Sequence, residues 1–288
     1  MKFVLVGHFC FDVIHPADGG EKEQPGGIYN AAAMLSTLVG KNDVILPVCG
    51  VSREDVVNVT GLFEKLPGVS TEGIYKIDTP SNRVHILTGA KGDAFTCSAD
   101  IAPPIPFERL RKHVACDGML VNMVSGFDIA LETMDQIRIL AREGKTVIHF
   151  DYHNLTMGLN ERHERFRRPL DTWRRWAFMV DTVQLNEEEI AGLDGSTSDE
   201  ATTVGHMLTL GVKGVIVTRG ARGVTAFVDA QKHVTRVDVD AVSHNGAGSI
   251  GNGDRFGAAF LHGMVTTGNI AEAARTAVSG LSQILNHN

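Results

Sequence analysis

The chain has 288 residues, 43% hydrophobic and 21% charged, an ordinary globular composition with room for one large α/β domain or two small ones. A net charge of −7 without a long basic run argues against a nucleic-acid partner, and no apolar stretch is long enough to span a bilayer. Four scattered cysteines without a CxxC pair, and a start too short for a signal peptide before Gly7, point to a reducing compartment and a soluble cytoplasmic protein.

Phe3–Gly7, Val44–Gly50, Gly118–Met123, Thr146–Asp151, Met179–Leu185 and Gly214–Gly220 are continuous apolar runs. They read as buried strands of a parallel sheet covered on both faces. Helical spacing predicts helices over Asn30–Val39, Glu54–Lys65, Ile129–Glu143 and Thr202–Gly211. Such alternation means an α/β fold. Gly73–Ala102 breaks it with three short strand-like pieces and no helix between them. With Phe9–Ile14, these are expected to form a small antiparallel flap outside the main sheet; an edge extension of that sheet is the other reading. Arg162, Arg165, Arg167, Arg168, Arg174 and Arg175 crowd the stretch Asn160–Arg175. With Phe166, Leu170 and Trp173 on another face, it is predicted to be a solvated amphipathic helix. A pocket for a phosphorylated acceptor is the alternative.

Two glycine clusters follow His244. Gly246, Gly248 and Gly251 spell GxGxxG, the dinucleotide fingerprint, which needs a second strand ending in an acid downstream. Glu272 has the spacing, but Phe256–Thr267 and Ile270–Leu285 both read as helices, so no strand is there for it to end. The second cluster, Gly251-Asn252-Gly253-Asp254, opens a helix of small and apolar residues. Backbone N–H groups at a helix N-terminus hold anions. An aspartate among them suits a general base that takes a hydroxyl proton while the amides hold a transferring phosphoryl group. The same pattern also suits a helix cap, and the stretch alone leaves both readings open. His149, Asp151 and His153 have strand spacing and are expected to share a face; a metal site there lacks identifiable further ligands.

GNGD followed by RFGAAF (Gly251–Phe260) resembles the C-terminal signature of the ribokinase, or phosphofructokinase-B, family of sugar and nucleoside kinases. The family's N-terminal glycine motif has its counterpart in Gly26-Gly27-Ile28-Tyr29-Asn30, its NxxE in Asn186–Glu189, and its strand-turn step in Val217–Gly223. All four stand in family order. Three departures accompany them: Gly248-Ser249-Ile250 replaces a hydroxyl-rich run, Asn252 replaces an alanine, and the C-terminal segment is short.

The resemblance implies a single domain over residues 1–288. Its fold would be a ribokinase-like three-layer α/β/α with a mostly parallel sheet, and a small β lid from about 9–28 and 73–102. It implies Asp254 as catalytic base, with an anion hole from the backbones of Gly251, Asn252 and Gly253. On the donor side it implies Asn186, Glu189, Thr218, Arg219, Gly220, Gly223 and Ser249, with ATP as donor and Glu189 holding Mg2+ through water. On the acceptor side it implies Asp12, Gly26, Gly27, Asn30 and Asp151. The expected activity is ATP-dependent phosphorylation of a hydroxyl on a small sugar or sugar derivative. A nucleoside kinase of the adenosine type and a catalytically silent ligand-binding relative are the alternatives. No nucleic-acid or membrane partner is expected, and the lid edges suit a homodimer.

Overall fold

The computed structural model describes every residue except 17–18, 89–93, 196–197, 231–232, 242–249 and 288. Its strands are β1 (Lys2–Val6), β2 (Phe9–His15), β3 (Lys22–Gly27), β4 (Val44–Ser52), β5 (Ile74–Ile77), β6 (Asn82–Thr88), β7 (Ala94–Ala99), β8 (Gly118–Asn122), β9 (Val147–Asp151), β10 (Met157–Leu159), β11 (Arg165–Arg167), β12 (Thr182–Asn186), β13 (Gly214–Thr218), β14 (Val224–Ala230) and β15 (His233–Val239). The α-helices are α1 (Ile28–Ser36), α2 (Val56–Glu64), α3 (Phe107–Leu110), α4 (Leu131–Gly144), α5 (Trp173–Phe178), α6 (Glu187–Gly192), α7 (Glu200–Thr209), α8 (Asn252–Thr267) and α9 (Ile270–His287).

The large sheet has the order β15-β14-β13-β12-β9-β8-β1-β4-β5. From β13 to β5 all neighbours are parallel; β14 and β15 add antiparallel at one edge. Successive strand residues point to opposite faces, so Val4 and Val6 enter one core while Phe3 and Leu5 enter the other. The first core is closed by α3 to α7 and the second by α1, α2, α8 and α9. This is the expected three-layer α/β/α arrangement. Every predicted strand of the parallel sheet is present, and the predicted helices differ only by a residue or two at most ends.

Three stretches differ from expectation. Of the pieces in Gly73–Ala102, Ile74–Ile77 pairs in parallel with β4 and extends the large sheet. A Cβ at Gly50 would lie 2.7 Å from Ile77 Cγ2, so the bare backbone of Gly50 lets this short strand pack close. The other two pieces join β2 and β3 in a separate sheet ordered β3-β2-β6-β7, in which β2 and β6 are parallel rather than antiparallel. The stretch 160–175 is not one helix. Asn160 Oδ1 accepts from the N–H groups of Arg162 and Glu164, at 2.9 and 3.0 Å, and His163 takes a φ of 62°. The turn they make pairs β10 with β11, and the helix begins only at Trp173. Turn formation by the asparagine side chain outcompetes the helical spacing of the apolar residues. The edge strands β14 and β15 were not anticipated.

Helices α8 and α9 cross at Gly263, where an added Cβ would lie 2.8 Å from Ala273 Cα. Gly263→Val is expected to destabilise the protein by ~1–3 kcal/mol through overpacking, seen as a lower urea midpoint. An unchanged midpoint would show that the helices do not pack this way.

Candidate functional site

From β1 the chain moves to β4 and β5, then returns to β8 on the other side of β1. In open α/β sheets the crevice beyond the strand ends at such a reversal is where ligands bind. Asn122 closes β8 at this point. Gly7, just past β1, lies so near that a Cβ would sit 2.6 Å from the Asn122 carbonyl oxygen.

The N-terminus of α8 meets this crevice. Gly251 caps the helix at φ 74°, and a side chain there would collide with Asn30, its Cβ 2.3 Å from the amide nitrogen. A left-handed conformation in such tight space calls for glycine. Asp254, in the first turn, is buried. Asn122 Nδ2 donates to its Oδ1 at 2.7 Å and Asn30 Nδ2 to its Oδ2 at 3.3 Å. Asn30 is itself fixed, since its Oδ1 accepts from Arg255 Nη2 at 2.8 Å. His153 Nε2 lies 3.9 Å from Asp254 Oδ1.

Beside this carboxylate runs a cleft of about 540 Å3. Asp151, Asn186, Glu189, Thr218, Gly220 and Gly223 line it together with the turn Gly251–Asp254, and Val224, Phe256, Val278 and Leu281 add apolar wall. Asn186 and Glu189 form a reciprocal capping box at the start of α6: Glu189 N–H donates to Asn186 Oδ1 at 2.8 Å and Asn186 N–H to Glu189 Oε2 at 2.7 Å. Gln184 Nε2 donates to Asp151 Oδ2 at 3.0 Å and to the Gly253 carbonyl at 3.1 Å. It thereby ties β12 to the α8 turn.

Not every expected residue faces the cleft. Arg219 does not line it. Its guanidinium donates to Glu187, Glu200 and Thr225, each at 2.7 Å. Ser249 lies outside the described residues. Asp12, Gly26, Gly27 and Asn30 sit on β2, β3 and α1. Asp12 is buried so tightly against Gly26 that a Cβ there would lie 2.3 Å from its Oδ2. His149 and Asp151 share the expected face of β9, where both bond Gln184; β9 ends at Asp151, and His153 follows in a short 3-10 helix with φ 38° and lines the same cleft as Asp151. His149 is fully buried against Phe260 and bonds Thr182 and Gln184; burial lowers its pKa to about 4. Among the described residues, no group of His, Cys, Asp and Glu has metal-holding geometry.

Burial raises the pKa of Asp151 and of Glu189. For His153 burial works the other way, but the carboxylates of Asp254, Asp151 and Glu189 outweigh it and raise the imidazole. The site is thus one imidazole among three acids. Asn122, Gln184 and His153 as a partner of Asp254 were not assigned from the sequence. The available signal was a polar residue in an otherwise apolar parallel strand, closing it in GMLVN and standing inside it in TVQLN.

The chain matches the model of the pfkB family of carbohydrate kinases over residues 131–282. No curated protein matches it in sequence. Among solved structures it resembles a pyrophosphate-dependent kinase in the ribokinase family, in a sulfate complex, with TM-score 0.81, 19% identity and coverage of 99% of this chain and 95% of that one. It also resembles Arabidopsis thaliana ribokinase complexed with ribose and ATP (0.74, 17%, 99% and 92%). A third is Burkholderia thailandensis nucleoside kinase in complex with inosine (0.75, 18%, 100% and 92%). At these identities the likeness shows the fold alone.

Asp12 has its pKa raised from 3.8 to about 6, chiefly by burial, which the Cys10 thiol at 3.3 Å partly offsets while the charge of Asp254 adds to it. The ionised form is disfavoured in the folded state, by roughly 3 kcal/mol above pH 6. That penalty fades as pH falls through about 6 toward 4. Asp12→Asn is therefore expected to raise the unfolding free energy at pH 8 and to lose this advantage at pH 4. Urea titrations giving the same gain at both pH values would place Asp12 in a solvated position.

Proposed function

Because the chain belongs to the pfkB family of carbohydrate kinases, we propose that it transfers a phosphoryl group from ATP to a hydroxyl of a small sugar or sugar derivative. The observation that carries this reading is Asp254: a buried carboxylate in the first turn of a long helix, held by two amide donors and open to the cleft. Asp254 accepts the proton of the acceptor hydroxyl, whose oxygen attacks the terminal phosphorus in line. Asn122 orients the carboxylate without neutralising it. The N–H groups of Asn252 and Gly253, at a helix start where the backbone has no intrahelical acceptor, face the charge on the transferring group. Gln184 fixes that turn through the Gly253 carbonyl.

Carboxylate and amide oxygens at the cleft wall suit Mg2+, which takes oxygen ligands and keeps several waters. Both Glu189 oxygens accept from Asn186, at 2.7 and 2.8 Å, so their remaining lone pairs would hold the metal through water. Bound Mg2+ supplies charge neutralisation on the donor phosphates. The apolar wall of Val224, Phe256, Val278 and Leu281 suits a nucleoside base. Pyrophosphate is the second reading for the donor, because a structure of TM-score 0.81 is a pyrophosphate-dependent kinase.

The sheet β3-β2-β6-β7 stands apart from the large one and carries Asp12. In this reading it is a lid that excludes water from the transfer.

Asp254→Asn is expected to fold normally and lose ~10²–10⁴-fold in turnover, as removal of a general base does. ADP release with a panel of sugars and nucleosides, run beside phosphate release from pyrophosphate, measures the loss and identifies the donor. Retention of more than about a tenth of the activity would leave Asp254 a helix cap only. Hydrogen exchange over residues 82–88 and 94–99 is expected to slow when the acceptor binds; equal exchange in both states would make the sheet a fixed wall.

A further inference from the structure

Arg165 on β11 is 8% exposed, and among the described residues only its Nε has a partner, the Ser98 hydroxyl at 2.8 Å. Nη1 and Nη2 are both buried without a hydrogen-bond partner among the described residues. A buried cation with idle donors is costly unless an anion completes it. Asp128, whose charge favours the guanidinium against the effect of burial, does not bond to it. One Asp128 oxygen accepts from the His8 N–H at 2.6 Å. The other accepts from the Ser125 and Gly126 N–H groups and the Ser125 hydroxyl, at 2.9, 3.0 and 3.1 Å. Arg83, the other cation nearby, pairs with Glu23 and stacks on Phe11.

Arg165 borders a small cavity of about 10 Å3 with Cys10, Asn82, Ser98, Val124 and Ser125. It lies between the four-stranded sheet and the loop after β8. Strand register places Cys10, Asn82 and Ser98 on the sheet face that also carries Asp12. The Cys10 thiol donates to Asp12, and Asp12 senses the charge of Asp254. The cavity therefore adjoins the expected acceptor side, since Cys10 both lines it and bonds Asp12.

We propose that Arg165 binds a carboxylate carried by the acceptor, so that the substrate is a small polyhydroxy acid. This rests on the kinase reading of the same site. Two free Nη donors on one planar fork match the two oxygens of a carboxylate. The space holds about one water-sized probe, so an entering group must displace part of its wall, and a flat carboxylate requires less of this than a tetrahedral phosphate.

The test compares aldonic acids of four to six carbons with the matching alditols and with hexose phosphates, using ATP and pyrophosphate as donors, in wild type and Arg165→Met. The wild type is expected to favour at least one acid over its alditol by ~30-fold in kcat/KM. Arg165→Met should reduce kcat/KM for that acid by ~10²-fold, mostly in KM, as loss of a buried charge partner does, and leave the alditol within about twofold. Without donor, the acid should raise the melting temperature of the wild type and not of the variant. The unliganded variant should melt no lower than wild type, because it sheds an uncompensated charge. A large drop would make Arg165 structural and overturn the proposal. So would the absence of an acid preference in every pair, a preference for phosphates, or equal losses on acid and alditol. If the acid binds through Arg165 but nothing is phosphorylated by either donor, the kinase reading fails and the carboxylate site stands.

Discussion

The carboxylate of Asp254 is held by amides and not by a cation. Asn122 and Asn30 donate to its two oxygens, while Arg255 bonds the far side of Asn30. An arginine bound directly to Asp254 would stabilise the anion strongly and make it a poorer proton acceptor. Routing the positive charge through an amide holds the geometry without a direct ion pair. Asp128 shows the opposite solution in the same protein: three backbone N–H groups and a hydroxyl saturate it, and it serves as a loop organiser.

This arrangement dictates much of its surroundings. Asn122 must end a strand beside β1, and α8 must approach closely enough for its first turn to reach that strand end. Small residues permit the approach. Gly257 sits within 3.0 Å of Gln184 Oε1 by its would-be Cβ, and Gly251 has no room for a side chain against Asn30. The amide network Asn30, Asn122 and Gln184 then links α1, β8 and β12 to one helix turn. His153 Nε2, 3.9 Å away, brings an imidazole toward the same carboxylate.

The parallel sheet was legible because its strands are buried on both faces and so are apolar throughout, which no other common element of that length requires. The turn Gly251–Asp254 was legible because glycines and an acid directly before a small-residue helix have few uses. Asn122 was hidden. Its partner lies 132 positions away, and the one local sign, an asparagine closing an apolar run, does not say what it bonds. Arg219 follows the family motif, yet Glu187 and Glu200 claim its guanidinium; a charge pair across a turn cannot be read from spacing. The stretch 160–175 misled for a related reason. Its apolar residues fall at helical intervals, but Asn160 seeds a turn and Pro169 interrupts the run.

Helix α8 follows every strand in the sequence, yet it packs against α1, β8 and β9. A ribosome therefore completes the whole sheet before making the segment that covers Phe3, Leu5 and Leu120 on one of its faces. During that interval the nascent chain carries an uncovered apolar surface, the kind of intermediate that aggregates or engages a chaperone. Asn30 and Asn122 wait just as long for the carboxylate they orient. An unfinished copy of this protein is thus the most adhesive form of the chain and one whose Asn30 and Asn122 lack their carboxylate, and docking of α8 with α9 ends both conditions.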